Sequence, residues 1–282
     1  MMITGIASLG LATLVSAAPL ALAALGGLAT EAACSLSIGL EGAMLVGAFS
    51  SAAVGATAGL GGGLASGTAA GAALCLLAGA AAIGLGADVF VAGLAANLLA
   101  PGIVSVISQA AFGTKGVLPA PAIRAGQGLI LLVLVLAIIL LVIILAKSVF
   151  GLRLRAAGEG GEVAEAAGIH GSRYRLSAHL IAGASAGLAG ACLASGIGAY
   201  APGMTTGRGW IALVAVFLGA RRCSGVIAAS LLLGLLFALS NIAQGFWSGA
   251  SGAELVQALP YAATAFAFVA WGLGDFRKRG RT

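Results

Sequence analysis

The sequence predicts an all-α fold, a polytopic transmembrane helical bundle of about eight spans plus one or two short broken or re-entrant helices. Three observations lead there. Of 282 residues, 61% are hydrophobic and only 8% charged, with a mean hydropathy of +1.13. A soluble domain carries about a quarter charged residues, so this chain could not cover its surface with polar groups. The apolar runs are long and unbroken, which excludes a β-barrel built from alternating segments of about ten residues.

A helical span needs about 20 apolar residues. Segments of that kind fall at 3–29, 42–60, 63–84, 88–110, 127–146, 177–197, 224–247 and 257–274. No Lys or Arg precedes Lys115, so the first segment lacks the basic start of a secretory signal and is expected to stay uncleaved in the membrane. The strongest run is LILLVLVLAIILLVIILA at 129–146, bounded by Arg124 and Lys147. The pieces 33–41 and 209–220 are too short to span alone and read as half-helices or re-entrant segments. Irregular backbone at that depth is tolerated only against protein or a water-filled path, so both are candidate pore elements.

Basic residues set the orientation. With 147–176 in the cytoplasm, Lys147, Arg153, Arg155, Arg173, Arg175, Arg221, Arg222, Arg277, Lys278, Arg279 and Arg281 lie inside, and Lys115, Arg124 and Arg208 outside. This obeys the positive-inside rule, puts the C-terminus in the cytoplasm, and requires 209–220 with its flanks to complete a crossing. The side of residues 1–62 is not marked by charge. The basic excess reports helix ends rather than a nucleic-acid surface.

The chain holds 46 glycines. Spacings such as Gly55–Gly59–Gly63 and Gly183–Gly187 fit backbones packed closely in lipid. Cys34, Cys75, Cys192 and Cys223 have no metal or redox spacing and read as small buried side chains.

The charge-rich stretch is FGLRLRAAGEGGEVAEAAGIHGSRYR at 150–175. Gly158 to Gly168 reads as one short helix with Glu159 and Glu162 at its start, where the dipole favours anions. Gly168 supplies a left-handed stop. A helix of about three turns is unstable alone in water, so this one must pack on something. The plainer reading is an ordinary basic loop.

The stretch resembles the cytoplasmic coupling segment of permease subunits from bacterial ABC importers, in the branch that moves nucleosides and simple sugars. Phe150, Gly151, Leu152, Arg153, Arg155, Ala156, Gly158, Glu159, Ala164, Ala167, Gly168 and Ile169 fall in register with it. SAAPLALAALGGLATE with SIGLEGAMLVGAF (16–31, 37–49), DVFVAGLAANLLAPGI (88–103), GRGWIALVAVFLG (207–219) and ELVQALPYAATAFAFV (254–269) resemble four further family blocks, in order. Ser37 stands where that family has Asn, Gly160-Gly161 replaces Asn-Pro, Val163 replaces Ala, and Cys223 replaces Pro.

The resemblance implies one permease domain over 1–282 in the bacterial cytoplasmic membrane. It also implies a loop that docks on a separate ATP-binding subunit through Arg153, Arg155, Gly158, Glu159, Glu162, Ala164, Ala167, Gly168 and Ile169. A second, non-identical permease subunit and an extracytoplasmic solute-binding protein complete the expected assembly.

Within the bundle the acids Glu31, Glu41 and Asp88 and the amides Asn97, Gln109, Asn241 and Gln244 need explaining, since an ionised acid at mid-bilayer is unfavourable by about 2.5–3.5 kcal/mol. Glu41 and Asn97 are candidates to shape the translocation path or brace a broken helix; the alternative is an interhelical hydrogen bond remote from solute. His170 and His179 have no sequence-near partner for chemistry. The Gly-rich run 59–71 lacks the Lys of a phosphate loop, and no catalytic or zinc pattern is present. The expectation is a non-enzymatic transport subunit without a cofactor, ATP being bound by the partner. Competing classes are a stand-alone transporter or channel, which would need a mid-membrane ion or solute site, and a membrane scaffold.

Overall fold

A computed structural model describes residues 2–159, 161–244, 261, 262 and 265. Nine helices carry these residues: α1 Met2–Ala32, α2 Leu40–Gly84, α3 Val89–Phe112, α4 Gln127–Val142, α5 Val149–Glu159, α6 Gly161–Ala166, α7 Gly171–Ile197, α8 Arg208–Leu218 and α9 Cys223–Gln244. Six of the helical segments are long and apolar enough to cross a membrane, the α4 crossing including a π-turn at Ile143–Lys147. The expected span at 257–274 lies, but for three positions, outside the described residues.

The second of these six is two crossings. A straight α2 of 45 residues would be about 68 Å long, yet its halves touch. At Gly59, φ is +69° and the chain folds back, a conformation glycine adopts without a Cβ clash. A Cβ on Gly67 would lie 2.6 Å from the Gly47 carbonyl, and one on Gly63 2.9 Å from that of Ser51. Ser66 Oγ donates to Ser50 O at 3.1 Å across the same seam. The arms 40–58 and 60–84 are therefore antiparallel, matching the two separate spans expected there. Gly59, expected in a packing stripe, is the turn itself.

α7 packs most extensively on this hairpin. A Cβ on Gly183 would meet the Gly71 carbonyl at 2.3 Å, and one on Gly187 the Gly67 carbonyl at 2.4 Å. Side chains of this size let backbones touch, so dispersion holds the bundle without a hydrophobic driving force. α1 buries Leu20, Leu22, Leu25 and Leu28 against α7 and α9. α7 begins at Gly171, six residues before the expected 177, so it absorbs Arg173 and Arg175, and its first turns pack on α5, with the Tyr174 and Phe150 ring centroids 5.7 Å apart.

One end of the bundle carries Arg153, Arg155, Arg173 and Arg175 and is called here the basic end. The opposite end is closed by the two-residue pairing of Leu118–Pro119 with Ala199–Tyr200. There Phe49 packs edge-on against Tyr200, ring centroids 5.3 Å apart.

Two expectations fail in detail. Residues 33–41 do not form a half-helix: 33–39 is irregular backbone, and α2 begins at Leu40. Cys34 adopts φ +50° there. Nor does the helix start at Gly158. α5 already begins at Val149 and runs through Glu159, and α6 covers Gly161–Ala166. Glu159 thus lies well into α5 rather than in a first turn.

Candidate functional site

Two helices start inside the bundle. A Cβ on Gly190 of α7 would lie 1.9 Å from the Met44 carbonyl, which fixes the depth of the α2 start. At 1.5 Å per residue, Glu41 then lies roughly halfway along the part of α7 flanked by bundle. A Cβ on Gly209 would meet the Glu41 amide nitrogen at 2.4 Å, so α8 begins at the same level. Arg208, expected at the outer side, is half-buried at this level, because α8 is a half-helix entered by the irregular segment 201–207. Its guanidinium sits 5.7 Å from the Phe237 ring centroid.

A helix start leaves backbone N–H groups without intrahelical acceptors, and lipid supplies none. Glu41 answers this for α8. Its Oε1 accepts from Thr205 Oγ1 at 2.5 Å and from Gly207 N at 3.0 Å, and its Oε2 accepts from Gly209 N at 2.7 Å. The carboxylate also sits at the positive end of the α8 dipole, the favourable place for an anion. Asn97 of α3 does the same for α2: Oδ1 accepts from Gly42 N at 2.8 Å and Nδ2 donates to Ile38 O at 2.9 Å. A Cβ on Gly42 would lie 2.9 Å from the Ala96 carbonyl, so glycine is what lets α3 bring Asn97 this close. The two residues singled out in sequence meet at one junction, each capping a different broken helix.

The irregular segment leading to it is held by residues the sequence did not mark. Thr30 Oγ1 donates to Gly27 O at 2.8 Å and accepts from Ser37 N at 3.1 Å. Ser35 Oγ and His179 Nε2 lie 2.9 Å apart, giving His179 a partner 144 positions away in sequence. No local pattern announces such pairs; only the loss of helix near Ala33 could have pointed to them.

At the basic end, α5 turns sharply off the π-turn. A Cβ on Gly151 would meet Leu145 O at 2.2 Å. The turn's carbonyls are taken by Ser148 Oγ, which donates to Ile144 O at 2.5 Å, and by Arg155 Nη1, which donates to Leu145 O at 3.2 Å. Leu154 and Ala157 are buried, while Arg153, Arg155 and Glu159 are exposed. Gly158 faces the end of α1, where a Cβ would lie 2.4 Å from Ala32 O and 3.2 Å from Cys34 N. α6 buries Ala164 and ends as its glycine foretold: Gly168 has φ +75°, and Ile169 N donates to Ala164 O at 2.8 Å. Ala167 and Gly168 are exposed and Ile169 half-buried; Glu162 lies within α6.

The other polar residues have structural partners or solvent. Asp88 caps α3, accepting from Val91 N at 3.0 Å. Glu31 pairs with Arg221 Nε at 2.9 Å. Gln109 and Asn241 are exposed, and Gln244 Nε2 donates to Ser240 Oγ at 3.4 Å. Cys75 and Cys192 are buried as expected, but Cys34 is exposed on the irregular segment. Among the described residues no cluster of three His, Cys, Asp or Glu could hold a metal.

A family model described as the permease component of branched-chain amino acid transport systems matches residues 9–268. The guanosine ABC transporter permease protein NupQ of Bacillus subtilis is 36% identical over 258 residues, covering 82% of this chain and 81% of its own length. The nucleoside ABC transporter permease protein NupC of Lactococcus lactis is 31% identical over 263 residues, covering 81% of this chain and 80% of its own. No solved structure matches the chain.

Proposed function

Because the chain belongs to the family of branched-chain amino acid transport system permease components, we propose that it is the membrane subunit of an ATP-driven importer for nucleosides or related small polar solutes. The solute class rests on the guanosine and nucleoside permeases among its relatives. The basic end is cytoplasmic in this reading, the membrane is the bacterial inner membrane, and the C-terminus lies inside. ATP is bound and hydrolysed by a separate subunit that docks on α5–α6. An extracytoplasmic protein delivers solute, and a second, non-identical permease completes the membrane part.

The observation that carries the coupling role is the seat of Gly158. The last turn of α5 touches backbone at Ala32 and Cys34, where the chain leaves α1 and turns back toward Glu41. A push on α5–α6 from below is therefore delivered to the irregular segment that feeds the broken helix α2. Glu41 and Asn97 act in this scheme as positioning residues: they hold the two half-helix starts in register while the bundle alternates between outward- and inward-facing states.

The test is co-purification with uptake. A C-terminally tagged chain extracted in mild detergent should bring down an ATP-binding subunit, and cells should accumulate labelled guanosine. Replacing 158–169 by a Gly/Ser linker should abolish both while the chain still reaches the membrane. A single species in several mild detergents, with uptake intact in the linker variant, would remove the importer reading in favour of a stand-alone transporter.

A further inference from the structure

At the basic end a cavity of about 520 Å³ opens between the end of α1, the end of α4, α5 and the turn from α8 to α9. Its floor is apolar, formed by Leu28, Val142, Leu145 and Leu154, and three guanidinium groups stand among its lining residues: Arg155, Arg221 and Arg222. We propose that this cavity holds the phosphate head of an anionic phospholipid, with the acyl chains running up the outer face of α4.

Charge makes the first part of the case. Glu31 is matched to Arg221 at 2.9 Å, which leaves Arg155 and Arg222 without a carboxylate among the described residues. Arg155 spends one N–H on Leu145 O and keeps the rest of a five-donor fork. Arg222 is exposed, and its side chain makes no hydrogen bond or ion pair among the described residues. The chain holds these groups here against local preference: Ala220 and Arg221 adopt φ +51° and +58°, a conformation uncommon for residues with a Cβ. The Arg221 guanidinium is further fixed 5.6 Å from the Phe217 ring centroid. Two uncompensated guanidiniums beside a rigid third form an oxyanion site, and a phosphate is the anion whose oxygens match such forks.

The apolar lining selects the lipid over a free phosphate. Val135 and Ile139 are exposed on α4, and Val142 and Ala146 follow at the same helical spacing and line the cavity. The stripe is thus continuous from the lipid-facing surface into the pocket. A small water-soluble anion would leave that floor wet. A phospholipid covers it, and basic pockets between helices at this membrane level suit such heads.

The test is native mass spectrometry of the detergent-purified chain, with its partners if they co-purify, titrated with phosphatidylglycerol or phosphatidylcholine. Phosphatidylglycerol should be retained at least tenfold more strongly than phosphatidylcholine. Arg222→Gln should cut that retention about tenfold, and Ala146→Phe, which fills the cavity from its apolar side, should do likewise. Arg222 is exposed and, among the described residues, bonded only through its backbone, so Arg222→Gln should leave yield and melting temperature unchanged. Equal retention of the two lipids, or of phosphatidylglycerol by wild type and Arg222→Gln, overturns the proposal. So does displacement of phosphatidylglycerol by millimolar inorganic phosphate, which would make the ligand a free anion, or its exclusion by a co-purifying subunit, which would make the pocket a protein interface. Uptake is not read, so failure of the transport assignment leaves this test intact.

Discussion

Replacing Glu41 by Gln changes one atom's chemistry at the point where two half-helices meet. The amide can keep its oxygen where Oε1 now accepts from Thr205 Oγ1 and Gly207 N. Its NH₂ then faces Gly209 N, at present 2.7 Å from Oε2, donor against donor. One charge-assisted bond worth about 1.5–3 kcal/mol is lost, and a buried donor is stranded at about 1–3 kcal/mol more. The sum is about 2.5–6 kcal/mol. At about 2–4 °C per kcal/mol for a large domain, the melting temperature in detergent should fall by about 10 °C. Differential scanning fluorimetry with an internal-tryptophan readout measures it on purified protein. Transport should fall with it, since α8 would no longer be held at the α2 start. A Gln variant melting within about 2 °C of wild type would refute the reasoning, because the three hydrogen bonds could then not be what anchors α8.

Three further outcomes follow from the same geometry. Asn97→Leu removes the acceptor for Gly42 N and the donor to Ile38 O, each stranded group unfavourable by about 1–3 kcal/mol; melting should drop by several degrees in the same fluorimetric assay. Gly190→Ala puts a Cβ 1.9 Å from the Met44 carbonyl, whereas Gly84→Ala meets nothing within 4 Å; membrane yield by quantitative blot should fall several-fold for the first and hold for the second. Gly158→Val forces α5 off the Ala32 and Cys34 backbone, and solute-stimulated ATPase activity of the reconstituted importer should fall at least fivefold while the ATP-binding subunit still co-purifies.

Different physics made different parts legible in the sequence. Spans were readable because hydrocarbon thickness imposes a length and composition on each helix independently of its neighbours. α3, α4 and α9 start within a residue of expectation for that reason. Gly168 was readable as a stop because a left-handed residue is a local requirement. Glu41 and Asn97 stood out because polar groups among apolar ones are costly, but what they cap was not visible: Thr205 and Gly209 lie 164 and 168 positions away from Glu41. The same non-locality hid the Ser35–His179 pair. The helix start at Val149 was missed because Gly158, just before the acidic residues, read as the start, whereas 149–157 are already helical.

The placement of the glycines explains how a chain with so few polar groups can still carry force across itself. Contacts through long side chains yield by rotamer changes, which absorb a displacement within a residue or two. Here the contacts are backbone on backbone: Gly158 on Ala32, Gly47 on Gly187, Gly209 on Glu41. Such contacts have no soft rotamer between them, so a shift of α5 must move the end of α1 and the irregular segment behind it. That segment ends at Gly39, and the next residues carry Glu41, which caps α8, and Gly42, whose N–H is capped by Asn97 of α3. At its far end α8 returns to the start, since Arg221 beyond its last turn is paired with Glu31 at the end of α1. The half-helix is thus tied at its upper end to Glu41 and at its lower end to Glu31, acids that bracket the one irregular crossover on which α5 bears. In the proposed importer, a displacement there would bear on α2 at its start or on α8 at its own. Either one changes the bundle at mid-membrane, the depth at which an importer must open and close.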